Sequence, residues 1–164
     1  MAAQTLAEAL EAEHRSIDLG IESFLDGDRS RPGPLLDALR ALRRHIFLEE
    51  EFLFRPLRTA GLVAPIFVML REHGEIWDTM DALEAQLAIE PATEAVAAGC
   101  RALLEQLGSH NFKEEPIIYP EVDGAMHGPA GAPLRAWLAH GQVPEAWRCA
   151  RAGVLPVGQP APDA

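Results

Sequence analysis

Two segments of the chain share a pattern that few folds can bury. In His45-Ile46-Phe47-Leu48-Glu49-Glu50-Glu51-Phe52-Leu53-Phe54 a histidine stands four residues before a glutamate. On a helix that spacing puts both side chains on one face, one turn apart. The face runs on through Phe52 and Pro56, so the pair points to the apolar side. The segment His110-Asn111-Phe112-Lys113-Glu114-Glu115-Pro116-Ile117-Ile118-Tyr119-Pro120 repeats the histidine, the glutamate four residues on, a second glutamate, an apolar run and a closing proline. A buried charge is costly unless it is paired or bound to metal. Two such pairs on two helices are the usual way a helical bundle holds two metal ions.

The rest of the chain supplies the helices for such a bundle. Apolar residues recur at helical spacing at Leu6, Leu10, Ile17, Ile21 and Phe24, with His14 among them. Thr5 with Glu8 has the capping-box form, which predicts a first helix over 6–25. A second helix is expected from Pro34, carrying Leu35, Leu39, Leu42, His45, Glu49 and Phe52 inward. Pro56 should kink it and Ala60-Gly61 should end it. The third starts near Pro65 and buries Ile66, Met69, His73, Ile76 or Trp77, Met80, Leu83 and Leu87. The fourth opens at Pro91 and buries Val96, Cys100, Leu103, Leu107, His110, Glu114 and Ile117, with a bend expected at Gly108. The expected fold is therefore all-α, an antiparallel up-down four-helix bundle over residues 1–123. Beyond it lies an extended Pro/Gly-rich C-terminal tail, 124–164, holding six of the thirteen prolines and six of the thirteen glycines. Its apolar clusters around Leu134-Trp137-Leu138 and Val143-Trp147 are expected to wrap the bundle, and its end to fray.

Charge and cysteine usage narrow the function. A net charge of −11 opposes binding to nucleic acid or to an anionic membrane. The two cysteines form no framework and no CxxC; Cys100 is expected in the core and Cys149 to be incidental. The N-terminal stretch has no basic region followed by an apolar core, and no apolar run approaches about 20 residues. A cytoplasmic, reducing location is the default expectation.

Six residues form the candidate metal site: His14, His45, Glu49, His73, His110 and Glu114. A lone histidine on an apolar face is commonly a hydrogen-bonded core residue. Four on four helices, two with matched glutamates, fit metal binding better. The halves also look alike, each with a Glu-His dipeptide (Glu13-His14, Glu72-His73) followed by a His-Glu pair, the histidines being 31 and 37 residues apart. Imidazole suits iron, zinc and copper, and carboxylate oxygen suits iron and manganese and can bridge two ions. An all-oxygen calcium site would not use four histidines, and a structural zinc site would favour cysteine. His127 and His140 lie in the tail, outside the pattern.

These residues, with the His-x-x-x-Glu-Glu stretches and their closing prolines, resemble the hemerythrin-like, or HHE cation-binding, domain over about residues 5–122. The resemblance implies a four-helix bundle around two non-haem iron ions, joined by an oxo or hydroxo bridge. It implies that Glu49 and Glu114 bridge, that His14 and His45 bind one iron, and that His73 and His110 bind the other. Oxygen-carrying members have a further histidine four residues after the one on the third helix, where this chain has Trp77. Their last carboxylate lies five residues after its histidine, here Glu115, which makes Glu115 the alternative to Glu114. Asp18, Glu13 and Glu72 are candidates to fill the missing position, and Glu50 and Tyr119 are candidates to support metal-bound groups.

The expected function is therefore binding of dioxygen, or of a related small ligand such as nitric oxide or peroxide, by a carrier, sensor or scavenger. A di-iron oxidase or peroxidase is an alternative, with Tyr119 or Trp77 as an oxidisable neighbour. An interaction protein whose tail responds to iron is another.

Overall fold

The computed structural model describes residues 5–154. Among them every regular element is helical. Helix α1 spans Leu6–Asp26, and Thr5 caps it as expected: its hydroxyl accepts from the Glu8 N–H at 3.1 Å, and the Glu8 carboxylate accepts from the Thr5 N–H at 2.9 Å. Helix α2 spans Gly33–Leu48 and runs directly into a π-helical turn, Glu49–Leu53, and then α3, Phe54–Thr59. Gly61, at φ 111°, ends this segment in a conformation that favours glycine. Helix α4 spans Val63–Ile89 and α5 Glu94–Ile117; α6 is Tyr119–Ala125. A 3-10 turn, Gly128–Gly131, leads into α7, Ala132–His140.

The four long segments pack as a ring: α1 on α2, α2 on α4, α4 on α5, and α5 on α1. Two apolar layers fill the interior. One gathers Ile17, Ile21, Leu39, Leu42, Ile46, Ile76, Met80 and Leu107. The other gathers Leu10, Leu48, Leu53, Leu57, Ile66, Met69, Ile118 and Val122. Each buried Leu or Ile contributes about 1.5–3 kcal/mol relative to exposure, so these layers dominate the stability. The four patterned histidines lie between them. None of the helices among the described residues is long and apolar enough to cross a membrane.

Several details differ from the sequence expectation. The irregularity in the second helix falls at Glu49–Leu53, before Pro56 rather than at it. The π turn rotates the chain there, so Leu53 and Phe54 are buried while Phe52 is only half-buried. Pro91 lies in the link, and Thr93 caps α5 instead, accepting from the Val96 N–H at 3.2 Å. That helix runs unbroken through Gly108, and Ile117 at its end is half exposed while Ile118 and Tyr119 turn inward. Cys149 is buried in the first apolar layer rather than incidental.

The segment after 123 is not extended throughout. The apolar pair Leu134 and Trp137 folds as part of α7 and covers the second layer, Trp137 lying 5.2 Å from the Phe47 ring. Residues 147–153 form a strap against α4. Trp147 sits 5.4 Å from Trp77, and the Arg151 carbonyl lies where a Cβ on Gly74 would stand, 2.5 Å away. The end expected to fray lies outside the described residues.

Candidate metal centre

Each long segment delivers one histidine to the space between the two apolar layers: His14 from α1, His45 from α2, His73 from α4 and His110 from α5. Glu49 opens the π turn and Glu114 lies in the last turn of α5; both have 0% exposure. Two sets of donors result. One is His14, His45, Glu49 and Glu114; the other is Glu49, His73, His110 and Glu114, and within each the ligand atoms lie within 4.8 Å of one another. All six patterned residues thus meet in one place, and the two glutamates belong to both sets.

The Nε2 atoms of all four histidines face these glutamates. Glu49 divides its oxygens, Oε1 lying 3.1 Å from His45 Nε2 and Oε2 lying 3.3 Å from His73 Nε2. Glu114 Oε2 lies 3.2 Å from His110 Nε2 and 3.5 Å from His14 Nε2. The Nδ1 atoms face outward, and a carboxylate holds each one. His14 Nδ1 donates to Glu115 at 2.9 Å, and His45 Nδ1 to Glu13 at 2.8 Å. His73 Nδ1 donates to Glu50 at 2.9 Å, and His110 Nδ1 to Glu72 at 3.0 Å. A carboxylate can only accept, so the Nδ1 proton is fixed on every ring and each Nε2 is aimed inward.

This ring of carboxylates is what sequence reasoning did not place. Glu13 and Glu72 do not enter a donor set; they hold the histidines of the neighbouring helices. Glu115 likewise holds His14, which leaves Glu114 as the inner residue. Glu50, a candidate for support, accepts from His73 Nδ1. The signal was present in the paired dipeptides, Glu-His on α1 and α4 and Glu-Glu after each His-x-x-x pattern, but only the packing shows which helix each one serves. Asp18 joins neither set. It lines a cavity beside the four histidines, where burial, then Glu22 and Glu115, push its carboxyl up to about 6.

That cavity offers ≈ 10 Å³, room for one water-sized molecule, between Ile17, Leu42, Ile46, Ile76 and Leu107. Trp77, at the position where oxygen carriers have a histidine, points away from it. Its ring packs on Trp147 and lies under the Arg43 guanidinium at 5.0 Å.

Tyr119 is closer to the centre than a supporting role requires. Its hydroxyl lies 2.9 Å from His14 Nε2 and 3.1 Å from His45 Nε2. It lies 2.8 Å from Glu49 Oε1 and 3.4 Å from Glu114 Oε2. Burial and the two carboxylates push its phenol well above the usual range.

The electrostatics fit bound cations. Glu114 Oε1 is buried with no hydrogen-bond partner, Glu49 Oε2 and His73 Nε2 face only each other at 3.3 Å, and a buried orphan costs about 1–3 kcal/mol. Burial acts to lower His45 and His110, yet the inner glutamates, with Glu13 and Glu72 behind, carry both up to about 10. Burial acts to raise Glu49, but His45 and His73 hold it well below the carboxylate range. The interior therefore holds negative charge that attracts any available positive charge. A metal ion in each donor set would supply it and satisfy the orphaned atoms.

Fold and site together define a helical protein that presents shared carboxylates and four oriented imidazoles to cations in its core. The family model of the hemerythrin HHE cation binding domain matches residues 5–122, and the chain belongs to that family. Neither the curated proteins nor the solved structures compared contain a match to it.

Proposed function

We propose that the chain is a non-haem di-iron protein that binds dioxygen, or a related small ligand such as nitric oxide or peroxide, as a carrier, sensor or scavenger. His14 and His45 would hold one ion, His73 and His110 the other, and Glu49 and Glu114 would be shared. The observation that carries this reading is the set of four inward Nε2 atoms, each ring fixed from behind by its own carboxylate. Iron bound there would supply open positions and a change of oxidation state, by which a small ligand is held. The chain's own residues orient the imidazoles, keep bulk water out through the two apolar layers, and leave a cavity of water-sized dimensions beside the centre. The location we assign is the cytoplasm.

The reading includes an up-down order of the four helices over 1–123, with 124–164 as an appended segment. The order in which the helices meet the two layers supports it. Helices α1 and α4 pass from Leu10 and Met69 in the second layer to Ile17 and Ile76 in the first, and α2 and α5 pass the opposite way.

The test is metal content of protein purified without chelator, with absorption spectra in air and after reduction. About two irons per chain, with a spectrum that changes reversibly on exposure to dioxygen or nitric oxide, is the expected result. Two zinc or manganese ions and no response to either gas would overturn the iron assignment.

A second reading, an interaction protein that responds to iron, has one observation in its favour. Glu50 holds His73 with Oε1 and accepts from the Ala150 N–H with Oε2 at 2.8 Å, so the strap and the centre share one carboxylate. Equal proteolysis of the strap with and without iron would count against it.

A further inference from the structure

The two halves of the centre are built alike and then differ by one oxygen. Tyr119 stands five residues after Glu114, and Phe54 stands five residues after Glu49. Each ring lies stacked on a histidine of its own half-site. Tyr119 is 5.4 Å from His14 with planes at 28°, and Phe54 is 5.3 Å from His73 with planes at 18°. The two aromatics therefore occupy matching places, one with a hydroxyl and one without.

The hydroxyl is placed as a donor would be. Around an octahedral ion with bonds of about 2.1 Å, adjacent donors lie about 3.0 Å apart. Tyr119 Oη lies 2.8–3.4 Å from His14 Nε2, His45 Nε2, Glu49 Oε1 and Glu114 Oε2. Those four are the donor set of one ion, and one vertex of an octahedron has four adjacent vertices. A hydroxyl has one proton and two lone pairs, too few to hydrogen-bond all four neighbours at once.

Resting on the reading of a paired iron centre, we propose that the Tyr119 phenol oxygen binds the ion of His14 and His45. This makes the two ions inequivalent and directs a small exogenous ligand to the ion of His73 and His110. Binding releases the phenolic proton to solvent and changes no oxidation state. The first ion then has five protein donors, and the second has four, with only the apolar edge of Phe54 at the matching place. With one position shared between the ions, the first is filled and the second keeps one open.

The experiment uses the iron-loaded full chain, Tyr119→Phe and Phe54→Tyr, with azide as the probe. The oxidised wild type should show a phenolate-to-iron absorption band and phenolate ring vibrations in resonance Raman. It should bind about one azide per iron pair, as one open position requires. Tyr119→Phe should keep two irons, lose the phenolate signals and bind about two azides. Phe54→Tyr should strengthen the band and lose azide binding. Two irons in the wild type without phenolate vibrations would overturn the Tyr119 assignment and leave the di-iron reading standing. Unchanged azide stoichiometry in Tyr119→Phe would overturn the direction of the ligand. A chain that takes up no iron would overturn both. Should Tyr119→Phe fail to fold, the wild-type vibrations and the Phe54→Tyr titration decide alone.

Discussion

Metal uptake by this centre should release protons, at least those held by His45 and His110. His45 and His110 are each held near 10 against an ordinary value of 6.5, because the carboxylates around them outweigh burial. At pH 7 a group with a pKa of about 10 is protonated about a thousandfold over neutral, so freeing its Nε2 costs about 4 kcal/mol. Each donor set holds one of these two histidines, so each ion displaces one such proton at about 4 kcal/mol, against apparent binding energies of about 10–16 kcal/mol for a structural zinc ion. Each ion therefore displaces its proton at neutral pH. Zinc, which has no redox chemistry, is the simplest probe. Its apparent affinity for the pair of sites should rise about a hundredfold per pH unit from 7 to 9, the slope of two displaced protons. Calorimetry in buffers of different ionisation heat should return at least about two protons per chain, and about one more where the Tyr119 phenol also binds. The sign for folding follows from the same shifts. A raised histidine stabilises the metal-free fold fully below 6.5, and that contribution is lost as pH climbs through about 10. The metal-free chain should melt at falling temperature across this window while the zinc-loaded chain does not. Affinity that is flat from pH 7 to 9, or release of fewer than about one proton, would refute the reasoning.

Removing any one of the outer carboxylates, as in Glu13→Ala, Glu50→Ala, Glu72→Ala or Glu115→Ala, should weaken zinc binding about 10–100-fold with helix content by circular dichroism unchanged. In Gly74→Ala the new Cβ would fall 2.5 Å from the Arg151 carbonyl, so the strap should lift; faster tryptic cleavage after Arg148 and Arg151, without loss of helicity, is the expected result. Leu39→Ala empties a wholly buried position in the first apolar layer and should cost about 2–5 kcal/mol in denaturant unfolding, with metal stoichiometry retained.

The helices were legible because their apolar residues repeat at helical spacing and their ends carry recognisable chemistry. Thr5 and Glu8 form the capping box that their spacing predicts. The six inner residues were legible for the same reason, since His-x-x-x-Glu on one stripe has few uses in a core. The outer carboxylates were not. Glu13 and Glu115 lie 102 residues apart by number, and which imidazole each serves depends on the rotation of packed helices, which local pattern leaves open. Trp77 shows the same limit: its position on the stripe is readable, but Arg43 on α2 and Trp147 on the strap hold its ring away from the centre.

Tyr119 and Phe54 show how small departures from regular helix become chemistry. In an α-helix, residues five apart point about 140° away from one another, at 3.6 residues per turn. A regular helix that aimed Glu49 and Glu114 inward would therefore turn Phe54 and Tyr119 away. Both segments break their regularity inside that interval of five. After Glu49 the chain makes a π turn, and the Phe54 N–H bonds to the Glu49 carbonyl, an i→i+5 closure that widens the turn by about one residue. After Glu114 stands Pro116, which has no N–H to continue the ladder, and α5 stops at Ile117 before α6 begins at Tyr119. Each device brings the aromatic back over the face that carries the glutamate. The repeat thus preserves the placement while the two means of achieving it differ, and the choice of Phe or Tyr at the end of each is free to set which half of the centre is closed.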